Sequence, residues 1–245
     1  MGTHAGTNKV MDRDQVLATV TPLLTSLQLA DSFFPSGAYT LSHGIESYAQ
    51  AGELDPTALY HITAGLLRHS AGESDAIGLV LTMRAARERD LDTVAQIDRR
   101  LTAVKVAREP RQASVRLGRQ VLLLNRDVFD DTLSGDYLKL VRSEQLPGNQ
   151  AVALGLLKAH LDVPEDEAVA GELYTYAASC VGSALRMSEI DHREMQRLLH
   201  LLRPVIAEVT ADVLDRRLAD IGGSVPYAEV MSMRHEEAAA RLFVS

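Results

Sequence analysis

Between Glu165 and Arg186 the apolar residues Val169, Leu173, Tyr176, Ala177, Cys180, Val181, Ala184 and Leu185 recur three or four apart. That spacing lines one face of an α-helix. Asp162-Val163-Pro164 opens this helix, and Glu165, Asp166 and Glu167 in its first turn complement the helix dipole. The same period returns in Leu59, Ile62, Leu66 and Leu67, then in Ile77, Val80 and Leu81, then in Val94, Ile97, Leu101 and Val104. No stretch alternates with period two between turns, and no internal repeat of fixed length is evident. The pattern predicts an all-α fold: a single-domain helical bundle of about ten helices.

The punctuation sets expected boundaries. Residues 1–13 read as a flexible leader and residues 14–245 as one domain. Gln15–Val20 reads as a short helix that Pro22 ends or restarts, and a second run through Leu23, Leu24 and Leu27 stops at Pro35-Ser36-Gly37. Ser42 is placed to cap the next helix, with Glu46 near its positive end. Asp55-Pro56 starts a helix to about His69, which Ala71-Gly72-Glu73-Ser74 breaks. An arginine-dense segment follows Pro110 and runs to about Phe129. Asp131–Gly135 reads as a turn, Pro147-Gly148-Asn149 as another, and Asp191 to about Leu218 as a long helix kinked at Pro204.

Composition excludes several functions. The formal charge of −8 and an aromatic content of 4% with no Trp disfavour nucleic acid, whose binders gather Lys, Arg and stacking rings. Cys180 is the single cysteine, so neither an internal disulfide nor a multi-cysteine zinc cage is available. No apolar run approaches the roughly 20 residues that span a bilayer. A soluble, cytoplasmic protein is expected, with no membrane and no nucleic-acid partner.

No Walker A sequence is present, and Gly72-Glu73-Ser74-Asp75-Ala76 lacks the strand that a nucleophile elbow requires. His61 and His69 are eight apart, as are His192 and His200, which is about 12 Å along a helix axis and too far for one ion. His43 with Glu46 supplies two ligands at most, a weak site. Asp127, Asp130 and Asp131 raise one alternative, a Mg²⁺-dependent isoprenoid-type helical enzyme, although a second acidic cluster is then required. Arg108, Arg116, Arg119 and Arg126 fall on one side of a continuous helix, with Arg111 at its edge. They form either a solvated basic face or a docking surface for a partner's carboxylates.

The segment Leu27-Gln28-Leu29-Ala30-Asp31-Ser32, followed by Pro35-x-Gly37 and Ser42-x-Gly44-Ile45-Glu46, closely resembles the N-terminal signature of the UreF family of urease accessory proteins. His235-Glu236 and Arg241-Leu242-Phe243 resemble that family's C-terminal pattern, and Arg108-Glu109-x-Arg111 its mid-chain arginine motif. The chain departs from the pattern at Met187-Ser188-Glu189-Ile190-Asp191, where a Pro-Leu-Gly-Gln type turn is usual, and at Val244, where a second arginine is common.

The resemblance implies a non-enzymatic, all-helical chaperone or adaptor for nickel insertion into apo-urease. By the same resemblance it is a homodimer that binds the UreD/UreH-type accessory protein, recruits the GTPase UreG and modulates its GTPase cycle. No catalytic residue, metal ligand or cofactor is expected, with nickel handled by the complex. The partner-binding residues it implies are Pro35, Ser36, Gly37, Tyr39, Ser42, Gly44, Glu46, Arg108, Arg111, Arg186, His235, Glu236, Arg241, Leu242 and Phe243. The C-terminal segment is expected to act as a partner-binding tail.

Overall fold

A computed structural model describes residues 12–31, 33–34, 41–237 and 242–243. Among these the fold is all-α, with no strand: α1 (Arg13–Ala30), α2 (Ile45–Gln50), α3 (Pro56–Leu66), α4 (Ile77–Arg87), α5 (Leu91–Val104), α6 (Arg108–Val128), α7 (Thr132–Arg142), α8 (Gln150–His160), α9 (Glu165–Arg186), α10 (His192–Val213) and α11 (Pro226–Glu237). A π-helical stretch, Leu67–Ala76, joins α3 to α4 without a break.

The core is organised around α8. Its sequence is apolar on every side, as a fully enclosed helix requires, and Ala151 to Ala159 are all buried. One of these is Lys158, whose Nζ donates to the Ala168 carbonyl at 2.9 Å and lies 3.5 Å from Glu172 Oε2. Burial pushes the Lys158 pKa down. Helix α4 packs against α8 and α5, α6 packs against α8 and α7, and α9 packs against α10 and α1. The approach of α6 to the loop before α8 needs Gly118, because a Cβ there would sit 2.0 Å from the Gly148 carbonyl oxygen.

Asp98 fastens the same loop. Fully buried, it accepts from Tyr137 Oη, from the Gly148 and Asn149 backbone N–H groups at 2.7 and 2.9 Å, and from Asn149 Nδ2 at 2.7 Å. Burial and then the Asp98 charge drive the Tyr137 hydroxyl pKa far upward, so it stays a donor.

Several expected boundaries differ. Pro22 neither ends nor restarts a helix: α1 runs through it. A proline costs one N–H to the carbonyl four residues back, here that of Ala18, which lies on an exposed stretch where an unpaired carbonyl carries little burial cost. The helix stops at Ala30, before Pro35, where the Asp31 carboxylate accepts from the Phe33 N–H at 2.7 Å. Asp55 does cap α3, accepting from the Ala58 N–H at 2.7 Å with Pro56 at the first position. Ala71–Ser74 does not break the helix, since the π register absorbs the extra residues. Gly72 fits because a Cβ would lie 2.5 Å from the Leu67 carbonyl oxygen.

Asp131 begins no loose turn. It is the N-cap of α7, accepting from the Leu133 and Ser134 N–H groups. This corrects the aspartate alternative. Asp131 is buried by its capping role, Asp127 is paired with Arg126, and Asp130 is an exposed residue at φ 52°. Among the described residues no group of three His, Cys, Asp or Glu can hold a metal ion.

Candidate functional site

The residues that precede α2 form a tight corner. His43 and Gly44 both adopt left-handed backbone, at φ 52° and 84°, which glycine accepts freely and histidine tolerates only at some strain. The corner turns the chain into α2 with Gly44 as N-cap and no side-chain cap. Ser42 therefore does not cap the helix with its hydroxyl as expected; its backbone carbonyl accepts from the Ile45 N–H at 3.1 Å. Although α2 has only six residues, its first four are buried, under cover from α9 and α11.

Glu46, 2% exposed, is the centre of that cover. Its carboxylate accepts from the Leu242 and Phe243 backbone N–H groups at 2.8 and 3.2 Å, and from Gln50 Nε2 at 3.3 Å. His235 Nε2 lies 2.9 Å from the same carboxylate, and His235 Nδ1 lies 2.7 Å from Glu109 Oε2. Each ring nitrogen thus has a carboxylate oxygen within hydrogen-bond distance. Glu236 continues the chain of contacts, accepting from Arg108 Nε at 3.1 Å and from the Glu109 N–H at 3.0 Å. That N–H belongs to the first turn of α6, where amides lack intrahelical partners and the helix dipole favours an anion. Arg186 Cζ stands 4.7 Å from the Phe243 ring centroid, a cation–π contact over the tail.

The structure thus brings Glu46, Arg108, Arg186, His235, Glu236, Leu242 and Phe243 into one latch that fastens α11 and the tail across α2 and α6. Gly44 and Ser42 form its corner. Arg111 stands apart, its Nη1 donating to the Lys105 and Val106 carbonyls at 2.7 and 3.1 Å. Pro35, Ser36, Gly37, Tyr39 and Arg241 lie outside the described residues. Glu109, which bridges His235 to α6, was not among the expected site residues, although it stands inside the arginine motif. Its pairing needed a partner 126 residues away, which spacing does not reveal.

Beside the latch is a cavity of about 160 Å³ whose lining includes His43, Asp75, Lys105, Tyr176, Glu109 and Ser232. His43 rests on Tyr176 with ring centroids 4.2 Å apart. Burial, opposed by Asp75 and helped by Arg186, brings its pKa down to about 4. The ring is neutral at physiological pH. His43 and Glu46 do not form a metal pair, because Glu46 is committed to His235 and the tail. Nor does Cys180 offer a nucleophile: it is fully buried, and that burial raises its thiol pKa, so the thiolate is disfavoured. The assembled groups make a charged, hydrogen-bonded joint.

Comparison with known proteins bears on what the joint belongs to. The UreF family model matches residues 54–203. A protein named urease accessory protein UreF 2 from Brucella canis is 30% identical over 224 residues, covering 91% of this chain and 92% of that protein. Urease accessory protein UreF of Trichodesmium erythraeum is 28% identical over 228 residues, covering 91% and 96%. That of a Bacillus species is 27% identical over 224 residues, covering 91% and 99%. With more than half of its length matched by the family model and the similarity extending over nine-tenths of it, the chain belongs to the UreF family of urease accessory proteins.

Proposed function

We propose that this protein is an adaptor in urease maturation. It links a UreD/UreH-type accessory protein to the GTPase UreG, modulates the GTPase cycle and promotes nickel insertion into apo-urease, working in the cytoplasm as a homodimer. It acts through protein contacts, without a catalytic centre or a cofactor of its own, and nickel is the cargo of the complex. One observation carries the reading. Segments that resemble the family's signatures, far apart in sequence, meet in a single latch on Glu46 and His235 that positions the C-terminal tail. A seated tail presents Leu242, which is 77% exposed, as an apolar contact for the UreD-type partner. Arg186, Arg108 and Glu236 set the rim.

Co-expression of urease subunits with the remaining accessory proteins, with and without this chain, tests the proposal. Loss of urease activity and bound nickel on omission, with a complex on size-exclusion chromatography, is the expected result. Full activity and nickel content in its absence would overturn it.

A further inference from the structure

Helix α6 carries five arginines against two acidic residues in a chain where Asp and Glu outnumber Lys and Arg by 33 to 25. Its buried stripe, including Leu117, Val121 and Leu122, faces the core. The opposite side forms an open groove of about 780 Å³. One edge is the i, i+4 row Arg111, Val115, Arg119, Leu123 and Asp127, and the neighbouring row adds Arg116 and Leu124. Two adjacent i, i+4 rows with a furrow between them are the relief that accepts the ridge of another helix.

The chemistry of the furrow narrows the occupant. Arg116 and Arg119 are exposed and, among the described residues, make no ion pair or hydrogen bond, whereas Arg126 is held by Asp127 and Arg108 by Glu236. Val115, Leu123 and Leu124 supply an apolar floor between the charges, and Leu123 is 37% exposed. Two-fold pairing of this face with a second copy centred on Arg119 sets that arginine against its own equivalent, and the one carboxylate in the row, Asp127, is already held by Arg126. We infer that the α6 groove docks an acidic amphipathic helix from a partner protein. Its apolar residues, two turns apart, lie on Val115 and Leu123, and its flanking carboxylates pair with Arg116 and Arg119. Planar guanidinium groups favour that pairing through two-point contact with each carboxylate. The inference stands on α6 alone and does not depend on the urease reading.

The test uses a fluorescein-labelled, helix-stapled peptide of about 18 residues, five turns long, with leucines two turns apart and flanking glutamates. A second peptide carries lysine in place of each glutamate. Anisotropy with the full-length protein should show saturable binding of the acidic peptide that weakens between roughly 50 and 500 mM salt, as screening shortens the reach of the charges. Arg116→Glu with Arg119→Glu should weaken it by roughly tenfold or more, and Leu123→Asp should weaken it at both salt concentrations. Circular dichroism checks that each variant stays folded. No binding, equal binding of the lysine peptide, or unchanged binding by a folded double variant would overturn the proposal. So would a sedimentation result in which the double charge reversal splits a wild-type dimer, for the face would then belong to a second copy. Urease activation is scored separately, so failure here leaves the adaptor reading standing.

Discussion

Glu46 is the residue on which the tail depends. Two backbone N–H groups and an imidazole converge on a carboxylate that is almost fully enclosed, so removing its charge leaves His235 with one carboxylate instead of two. Glu46→Gln should lower unfolding free energy by about 1–3 kcal/mol in chemical denaturation, the scale of leaving a buried hydrogen-bonding group without a matched partner. Hydrogen exchange at the Leu242 and Phe243 amides should accelerate in the same variant. Unchanged protection would mean that Glu46 does not hold the tail. His43 makes a separate residue-level prediction. Its pKa is about 4 in the folded chain against an ordinary 6.5, with Asp75 and Arg186 the charges that act on it. Between those values the unfolded chain binds the proton first, so this term is fully present above about pH 6.5 and is lost as pH falls toward 4. The loss amounts to about 1–3 kcal/mol. Asparagine tolerates left-handed backbone and does not titrate here. His43→Asn should therefore flatten this part of the stability–pH curve, read as Tm at stepped pH against wild type.

The helices were legible because their apolar faces carry period 3.6 and their starts carry caps: Asp55 and Asp191 each accept a backbone N–H three residues on. Junctions were less legible. Gly72 and Ser74 read as a break, yet the chain continues as a π-helix, because the space against Leu67 and Val209 admits a glycine and the neighbouring helices supply the packing. Propensity cannot see that space. The same blindness separates two glycines that look alike in sequence. Gly118 faces the Gly148–Asn149 loop at 2.0 Å from a virtual Cβ, whereas Gly135 in α7 has nothing within 4 Å. Gly118→Ala should destabilise by about 3 kcal/mol or more, since backbone on both sides must move. Gly135→Ala should stabilise by up to about 1 kcal/mol through reduced freedom of the unfolded chain. Denaturant midpoints of the two variants decide it, and stabilisation by both would show that helix propensity alone governs both sites.

At the scale of the molecule, one core joins helices from α2 to α11, and the described tail residues lie outside it. Phe243 is buried against Arg186 but lies outside that core cluster. The sequence pattern conveyed the bundle, because burial of amphipathic faces is a local signal that recurs along the chain. It conveyed the members of the latch only through family resemblance, because Glu46, Glu109 and His235 are joined by contacts across more than a hundred residues. A chain ending at Glu237 separates the two levels. It keeps every helix and His235 but loses the Leu242 and Phe243 amides, so the body should fold with unchanged helicity. The stability loss should be about 2–3 kcal/mol, from one buried aromatic side chain and two lost bonds to a carboxylate. If the latch exists to present the tail to the UreD-type protein, this folded truncation should fail to activate urease in co-expression. Restored activity would put the partner surface elsewhere on the helical body. A global loss of helicity would instead make the tail a structural requirement of the bundle. The circular dichroism spectrum is read first, because activation is informative only for a folded chain.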